Sequence, residues 1–191
     1  TASDTVQITV TAGLFPLTLN TAGTGSGSVN VSPPGMQYAN GTQVTLTAVP
    51  TNNSIFAGWS GKVSGQQNPI TFTMNGSATV TATFDIKTFI ITSSASTEGG
   101  TISPQGAVQV AYGSSQSFTI TPSDGYVIDN VLTNGYAVGA VTTFTFNNVQ
   151  RNHTIQAFFK VDDTPPSITS ALVATGTVGQ AFSYQITATH S

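Results

Sequence analysis

Seven carboxylates, four basic residues and two histidines carry the ionisable chemistry of this 191-residue chain outside its tyrosines, and there is no cysteine. His153 stands between Asn152 and Thr154 at the entry to a strand, and His190 is next to last. A lone histidine without Cys, Asp or Glu in register is not a metal-ligand set. Neither histidine has a nucleophile at a catalytic spacing, and no G-x-S-x-G or H-E-x-x-H motif occurs. The run Gly23-Thr-Gly-Ser-Gly27 lacks the lysine and the following helix of a phosphate loop, and reads as a flexible entry to a strand. The expectation is a non-enzymatic protein with no cofactor and no catalytic or metal residues.

Four further sets of side chains could still do chemistry. Trp59, the only tryptophan, together with Tyr126 and Tyr136 could stack on sugar rings, with Tyr38 or Phe56 near Trp59. Against a glycan platform stands the reading of Trp59, flanked by Gly58 and Gly61, as a core anchor, since an aromatic ring buries roughly 150–250 Å². Asp162 and Asp163 could hold calcium only if Asp85, Glu98, Asp124 or Asp129 converged on them, because that ion takes about six to eight oxygens. Otherwise they are solvated linker carboxylates. Lys62, Lys87 and Lys160 are available for a Lys–Asn isopeptide bond, but glutamate to promote it is scarce. Asn30, Asn40, Asn52, Asn75 and Asn152 each open an N-x-[ST] sequon, a match that chance supplies in a chain this rich in Asn, Ser and Thr.

The elements that must position these residues are strands. Val6, Ile8 and Val10 alternate with polar residues, as do Val44, Leu46 and Ala48, and Val80, Ala82 and Phe84. The same alternation covers Phe118 and Ile120, Phe144 and Phe146, Ile155 and Ala157, and Phe182, Tyr184 and Ile186. No window keeps a helical period, although one short helical turn near Tyr126 to Val131 stays open. Asn40-Gly41, Asn75-Gly76 and Asn134-Gly135 are turn dipeptides, because both residues tolerate positive φ. Prolines at 33, 34, 50, 104 and 122 punctuate strand ends. Only 6% of residues are charged and 38% are hydrophobic, with Thr, Ser, Asn, Gln and Gly in place of charge. No apolar run approaches the roughly 18 residues of a membrane span, so no membrane insertion is expected. Four basic residues and a net charge of −3 leave no phosphate track, so no nucleic acid is expected either.

The chain also repeats itself. Gly27-Ser-Val-Asn-Val-Ser-Pro33, Gly41-Thr-Gln-Val-Thr-Leu-Thr-Ala-Val-Pro50 and Thr79-Val-Thr-Ala-Thr-Phe84 return as Gly100-Thr-Ile-Ser-Pro104, Gly113-Ser-Ser-Gln-Ser-Phe-Thr-Ile-Thr-Pro122 and His153-Thr-Ile-Gln-Ala-Phe-Phe159. Matching positions lie about 72 to 75 residues apart. The expected fold is all-β: two tandem small β-repeat modules, elongated, at 14–86 and 87–161. Residues 1–13 read as a closing strand, and 162–191 as a Pro-stiffened linker followed by two opening strands.

Gly58-Trp-Ser-Gly61, Asn68-Pro-Ile-Thr-Phe-Thr-Met74 and Val80-Thr-Ala-Thr-Phe84 resemble divergent internalin B-type (InlB B-repeat-like) repeats of bacterial surface proteins. Gly125-Tyr-Val-Ile128 and Asn152-His-Thr-Ile-Gln-Ala-Phe158 resemble another branch of that family, without the tryptophan. Ser3 to Val10 and Pro165 to Ala188 are similar to closing and opening strands of bacterial immunoglobulin-like domains. The resemblance implies an extracellular, cell-surface or secreted location and a non-catalytic spacer or adhesive role. It carries over no binding residues.

The terminal strands suggest assembly. Val6, Ile8 and Val10 of one copy would complete a sheet with Phe182, Tyr184 and Ile186 of the next, a head-to-tail contact that builds a filament. The expected partners are therefore other copies of this chain, or neighbouring domains of the same surface protein, with a glycan as a further candidate. The alternatives are a spacer or stalk segment of a large adhesin, or a carbohydrate-binding accessory module.

Overall fold

The computed structural model describes residues 13–164, 167, 168, 173, 175–181 and 183–189. Every regular element among them is a strand. The chain divides into two compact units. The first runs to Ile90 and also takes Gln109–Gln116 and Phe146–Asn152; the second takes Ile91–Val108, Ser117–Thr145 and everything from His153 onward.

The first copy of the repeat forms seven strands: β1 (Phe15–Ala22), β2 (Gly27–Ser32), β3 (Gln37–Tyr38), β4 (Gln43–Pro50), β5 (Ser54–Gly61), β6 (Ile70–Thr73) and β7 (Ala78–Ile86). They make two sheets, in the orders β3-β1-β7-β5 and β2-β4-β6. The alternation in the sequence maps onto burial. Val44, Leu46, Val80, Ala82 and Phe84 are buried and join Leu17, Tyr38, Trp59 and Met74 in one apolar cluster drawn from both sheets. The threonines between them turn outward, where Thr45 and Thr71 pair through their hydroxyls at 2.8 Å.

The second copy follows the same plan with β8 (Thr88–Ala95), β9 (Gly100–Ser103), β10 (Gly106–Ala111), β11 (Gln116–Pro122), β12 (Tyr126–Thr133), β13 (Tyr136–Gly139), β14 (Thr143–Phe146) and β15 (His153–Val161). Its sheets run β10-β8-β15-β12-β13 and β14-β11-β9. Ile91, Ile102, Phe118, Ile120, Val131, Ile155 and Ala157 are buried. Ser117 and Thr145 repeat the outer hydroxyl pair of the first copy, also at 2.8 Å. The stretch from Tyr126 to Val131, left open to a helical turn, lies in strand β12. Its period breaks at a β-bulge between Ile128 and Asn130, matched in the first copy by one between Phe56 and Gly58.

One feature of both copies was not legible in the alternation. The first and last long strands pair in parallel: Leu17–Ala22 of β1 with Ala78–Thr83 of β7, and Ile91–Ala95 of β8 with His153–Ala157 of β15. Parallel neighbours need a crossover connection. Here the connection contains the whole second sheet of each copy, together with the remaining strands of the first.

The glycine run leads into strand β2 as expected, but not as a flexible segment. Gly23 to Gly27 is a packed corner: the Gly25 N–H donates to Phe84 O at 2.8 Å, and the Ser26 N–H to Ser54 Oγ at 2.9 Å. A Cβ on Gly27 would lie 2.6 Å from Cζ of the Phe84 ring. A Cβ on Gly100 would lie 2.5 Å from Cζ of Phe159, the equivalent ring, and 2.6 Å from Thr121 O. These glycines are required by the close approach of an aromatic ring.

The tail holds one short antiparallel pair, β16 (Ser167–Ile168) with β17 (Ala188–Thr189). Residues 183–187, through Tyr184 and Ile186, carry no ladder within this chain, and both side chains are exposed. With no buried face there, alternation has no core to act on. Val6, Ile8, Val10, Phe182 and His190 lie outside the described residues.

Candidate functional site

Trp59 sits on β5 opposite Ala82 and is 4% exposed. Its Nε1–H donates to Gln67 O at 3.0 Å, and its ring packs 4.9 Å from that of Phe56. Phe56 in turn meets Phe84 edge-on at 6.0 Å. The juxtaposition of Trp59 and Phe56 expected from sequence exists, but it faces inward. The indole offers no ring face to a sugar, which corrects the platform reading at this residue. In the second copy Val131 pairs with Ala157 where Trp59 pairs with Ala82, and it is fully buried. A smaller side chain does the same packing task there.

Tyr38 is likewise a core residue. Its hydroxyl lies 2.8 Å from Pro33 O and 2.6 Å from Gly35 O, so its one hydrogen serves two carbonyls. Burial pushes the phenol pKa up from its ordinary value, because the charged form loses water. Its counterpart by spacing, Val110, is as buried.

Tyr126 and Tyr136 are not brought together. Tyr126 opens β12, whereas Tyr136 pairs with Thr133 at its far end. Seven residues of strand separate them by roughly 23 Å, too far to sandwich one sugar ring. Tyr136 is 78% exposed. Tyr126 is half-buried and lines a cleft of about 650 Å³ with Pro122, Ser123, Asp124, Val161 and Asp162.

The several carboxylates that a calcium site at Asp162 and Asp163 would need are not gathered there among the described residues. Asp162 Oδ1 accepts hydrogen bonds from the Thr164 N–H (3.0 Å) and hydroxyl (2.6 Å), which closes a local turn. No group of three or more His, Cys, Asp or Glu that could hold a metal occurs among the described residues. Asp129 instead meets Lys160 at 3.4 Å in an exposed ion pair, a kind of contact worth roughly 0–1 kcal/mol. His153 Nδ1 lies 2.9 Å from Asn134 Nδ2, at the turn that begins the β12–β13 hairpin. Lys87 Nζ donates to Asn52 O at 2.7 Å and Lys62 Nζ to Asn75 Oδ1 at 3.0 Å.

One structural role was missed in the sequence. Asn68 pairs with Ala48 as a neighbouring strand would: its Oδ1 accepts from the Ala48 N–H at 2.9 Å and its Nδ2 donates to Ala48 O at 2.8 Å. In the second copy the equivalent N–H, on Ile120, is met by the main-chain oxygen of Thr142 at 2.8 Å. The signal was the Asn68-Pro69 step, where proline removes a ladder donor and an amide side chain takes over the pairing. The side chains with chemical potential thus go largely to packing and to satisfying backbone groups.

Two segments, residues 17–88 and 91–163, match the family model of the divergent InlB B-repeat domain. No curated protein matches the chain. Among solved structures it is similar to the Bacillus anthracis TIE protein, at 10% identity and a TM-score of 0.40, over 76% of this chain and 34% of that one. It is also similar to the pilus adhesin SpaC from Lactobacillus rhamnosus GG in its open conformation, at 10% identity and a TM-score of 0.28, over 80% of this chain and 32% of that one. The chain spans about a third of the length of each of these solved structures. With both copies of its repeat matched, and most of its length covered, the chain belongs to the divergent InlB B-repeat family.

Proposed function

We propose that this chain is a non-enzymatic, load-bearing segment of a bacterial cell-surface protein. The observation that carries the reading is the parallel pairing of β1 with β7 and of β8 with β15. The chain enters each copy at the N-terminal end of the first strand and leaves at the C-terminal end of its parallel neighbour. Tension along the chain therefore pulls the two strands past each other. Every ladder bond between them is loaded in shear at once, rather than opened one after another. A neutral surface with 6% charge makes such a module insensitive to salt, because there is little surface charge to screen.

Single-molecule stretching of the full chain from its two ends tests this reading. Two discrete unfolding events at high force are expected. Smooth extension at low force, or enzymatic turnover by the chain, would overturn it.

A second reading is head-to-tail assembly through the terminal segments, into a filament of identical copies. Exposed Tyr184 (42%) and Ile186 (67%) favour it, since they leave apolar surface for a partner to cover. Electron microscopy with light scattering separates the two. Regular filaments support assembly, and a monodisperse monomer supports a spacer within a longer chain.

A further inference from the structure

Three Asn-Gly dipeptides occur in the two copies, at 40–41, 75–76 and 134–135. The same chemistry is open to each. The glycine N–H, unhindered by a Cβ on its own residue, can attack the asparagine Cγ, expel ammonia and leave a cyclic imide. Water then opens the ring to aspartate or its β-linked isomer. The structure gives the three sites different environments.

At the first, the nucleophile is engaged: the Gly41 N–H donates to Met74 O at 2.8 Å. At the third, the electrophile is pinned. Asn134 Nδ2 faces His153 Nδ1 at 2.9 Å, and its Oδ1 accepts from the Thr154 N–H at 3.1 Å. At the second, the nucleophile is not engaged among the described residues, and Asn75 Oδ1 meets one exposed charged donor in place of the two contacts that fix the Asn134 amide. Asn75 is exposed in the turn between β6 and β7, and no hydrogen bond to the Gly76 N–H is present among the described residues. In addition, the Lys62 ammonium donates to Asn75 Oδ1 at 3.0 Å. That contact withdraws electrons from Cγ and is placed to stabilise the oxyanion that forms there when Gly76 N attacks.

We infer that Asn75 is a site of spontaneous self-modification, in which Lys62 promotes cyclisation onto Gly76 and hydrolysis leaves a carboxylate facing the Lys62 ammonium. Overall, one amide and one water become one carboxylate and one ammonium ion. No oxidant or other reactant is required. The product converts a charge–dipole contact on the surface into an ion pair and makes the net charge one unit more negative.

The test is incubation of the full chain at mildly alkaline pH, with peptide mass spectrometry following amide-to-acid conversion at all three asparagines. Asn75 should convert at least roughly threefold faster than Asn40 or Asn134. Lys62→Met should slow it roughly three- to tenfold, less than the hundredfold or more typical of a water-excluded oxyanion site, because Lys62 and Asn75 are both exposed. Lys62→Arg, which keeps a charged donor, should restore part of the rate. Trp59 emission checks that each variant is folded. Conversion at Asn75 no faster than at the other two sites would overturn the inference, as would an unchanged rate in Lys62→Met. Recovery of a covalently joined Lys62–Asn75 peptide pair would also overturn it, since the lysine would then be the nucleophile.

Discussion

Replacing Gly27 by alanine tests the packing on which the first copy is built, and two physical effects predict opposite signs. Gly27 is not among the residues with positive φ, so an L side chain fits its backbone. Judged on conformational entropy alone, alanine would stabilise the fold by roughly 0.4–1 kcal/mol. The opposing effect is steric. The new methyl would sit 2.6 Å from Cζ and 2.7 Å from Cδ1 of Phe84. Ordinary contact requires the ring to retreat by close to an ångström. Phe84 is fully buried and backed by Phe56 at 6.0 Å, so the strain passes into the core. Forcing a methyl into a filled core costs roughly 1–3 kcal/mol. Steric strain should therefore win, with a net loss of about 1–2 kcal/mol. For a unit of this size that lowers Tm by roughly 4–16 °C. The assay is urea and thermal unfolding followed by Trp59 emission, which reports on the first copy because it is the only tryptophan. Phe84→Leu removes the ring, so the double variant should be less destabilised than the sum of the two single changes. A Gly27→Ala midpoint at or above the parent's would refute the reasoning and leave Gly27 an ordinary strand glycine.

Three other outcomes are expected. Burial raises the Tyr38 pKa above its ordinary value near 10, so above that pH the folded state keeps a proton that the unfolded chain has lost. Stability is unaffected below about pH 10 and falls as pH rises beyond it; Tyr38→Phe should flatten that decline in alkaline unfolding curves, and an unchanged slope would assign the decline elsewhere. Asn134 holds φ near 50° in a two-residue turn with Gly135, and its side chain receives the Thr154 N–H; Asn134→Ala should cost roughly 1–2 kcal/mol, read as faster amide exchange in β12 and β13. Trp59 emission should resist iodide quenching in the native state and stay unchanged on titration with soluble oligosaccharides. A glycan-dependent shift would reinstate the platform reading.

Much of this fold was legible in the order of residues. Period-two alternation placed Val44, Leu46, Val80, Ala82, Phe118, Ile120 and Ile155 in strands and inside the core, because a strand with one buried face admits only that pattern. The Asn134-Gly135 turn was legible because few residue pairs accept its backbone angles. The repeat itself followed from the spacing of glycines, prolines and apolar residues along the chain, and the family from the resemblance of its motifs, which the family model matches.

What only the tertiary structure decided depends on which segments meet. Parallel pairing of β1 with β7 joins residues about 60 apart, and no local pattern distinguishes a parallel partner from an antiparallel one. Gly23 to Gly27 looked flexible because glycine permits freedom; the Phe84–Asp85 backbone beside Gly23 and Gly25, and the Phe84 ring beside Gly27, all contributed from the far end of the same copy, convert that freedom into a steric requirement. Trp59, Tyr126 and Tyr136 are all aromatic in the sequence, yet one is core, one lines a cleft and one is solvated. The three Asn-Gly pairs read alike until folding brings Met74 to the first, Lys62 to the second and His153 to the third. Residue type sets what a side chain can do, whereas neighbours brought in from elsewhere in the chain set its burial, its partners and hence its reactivity.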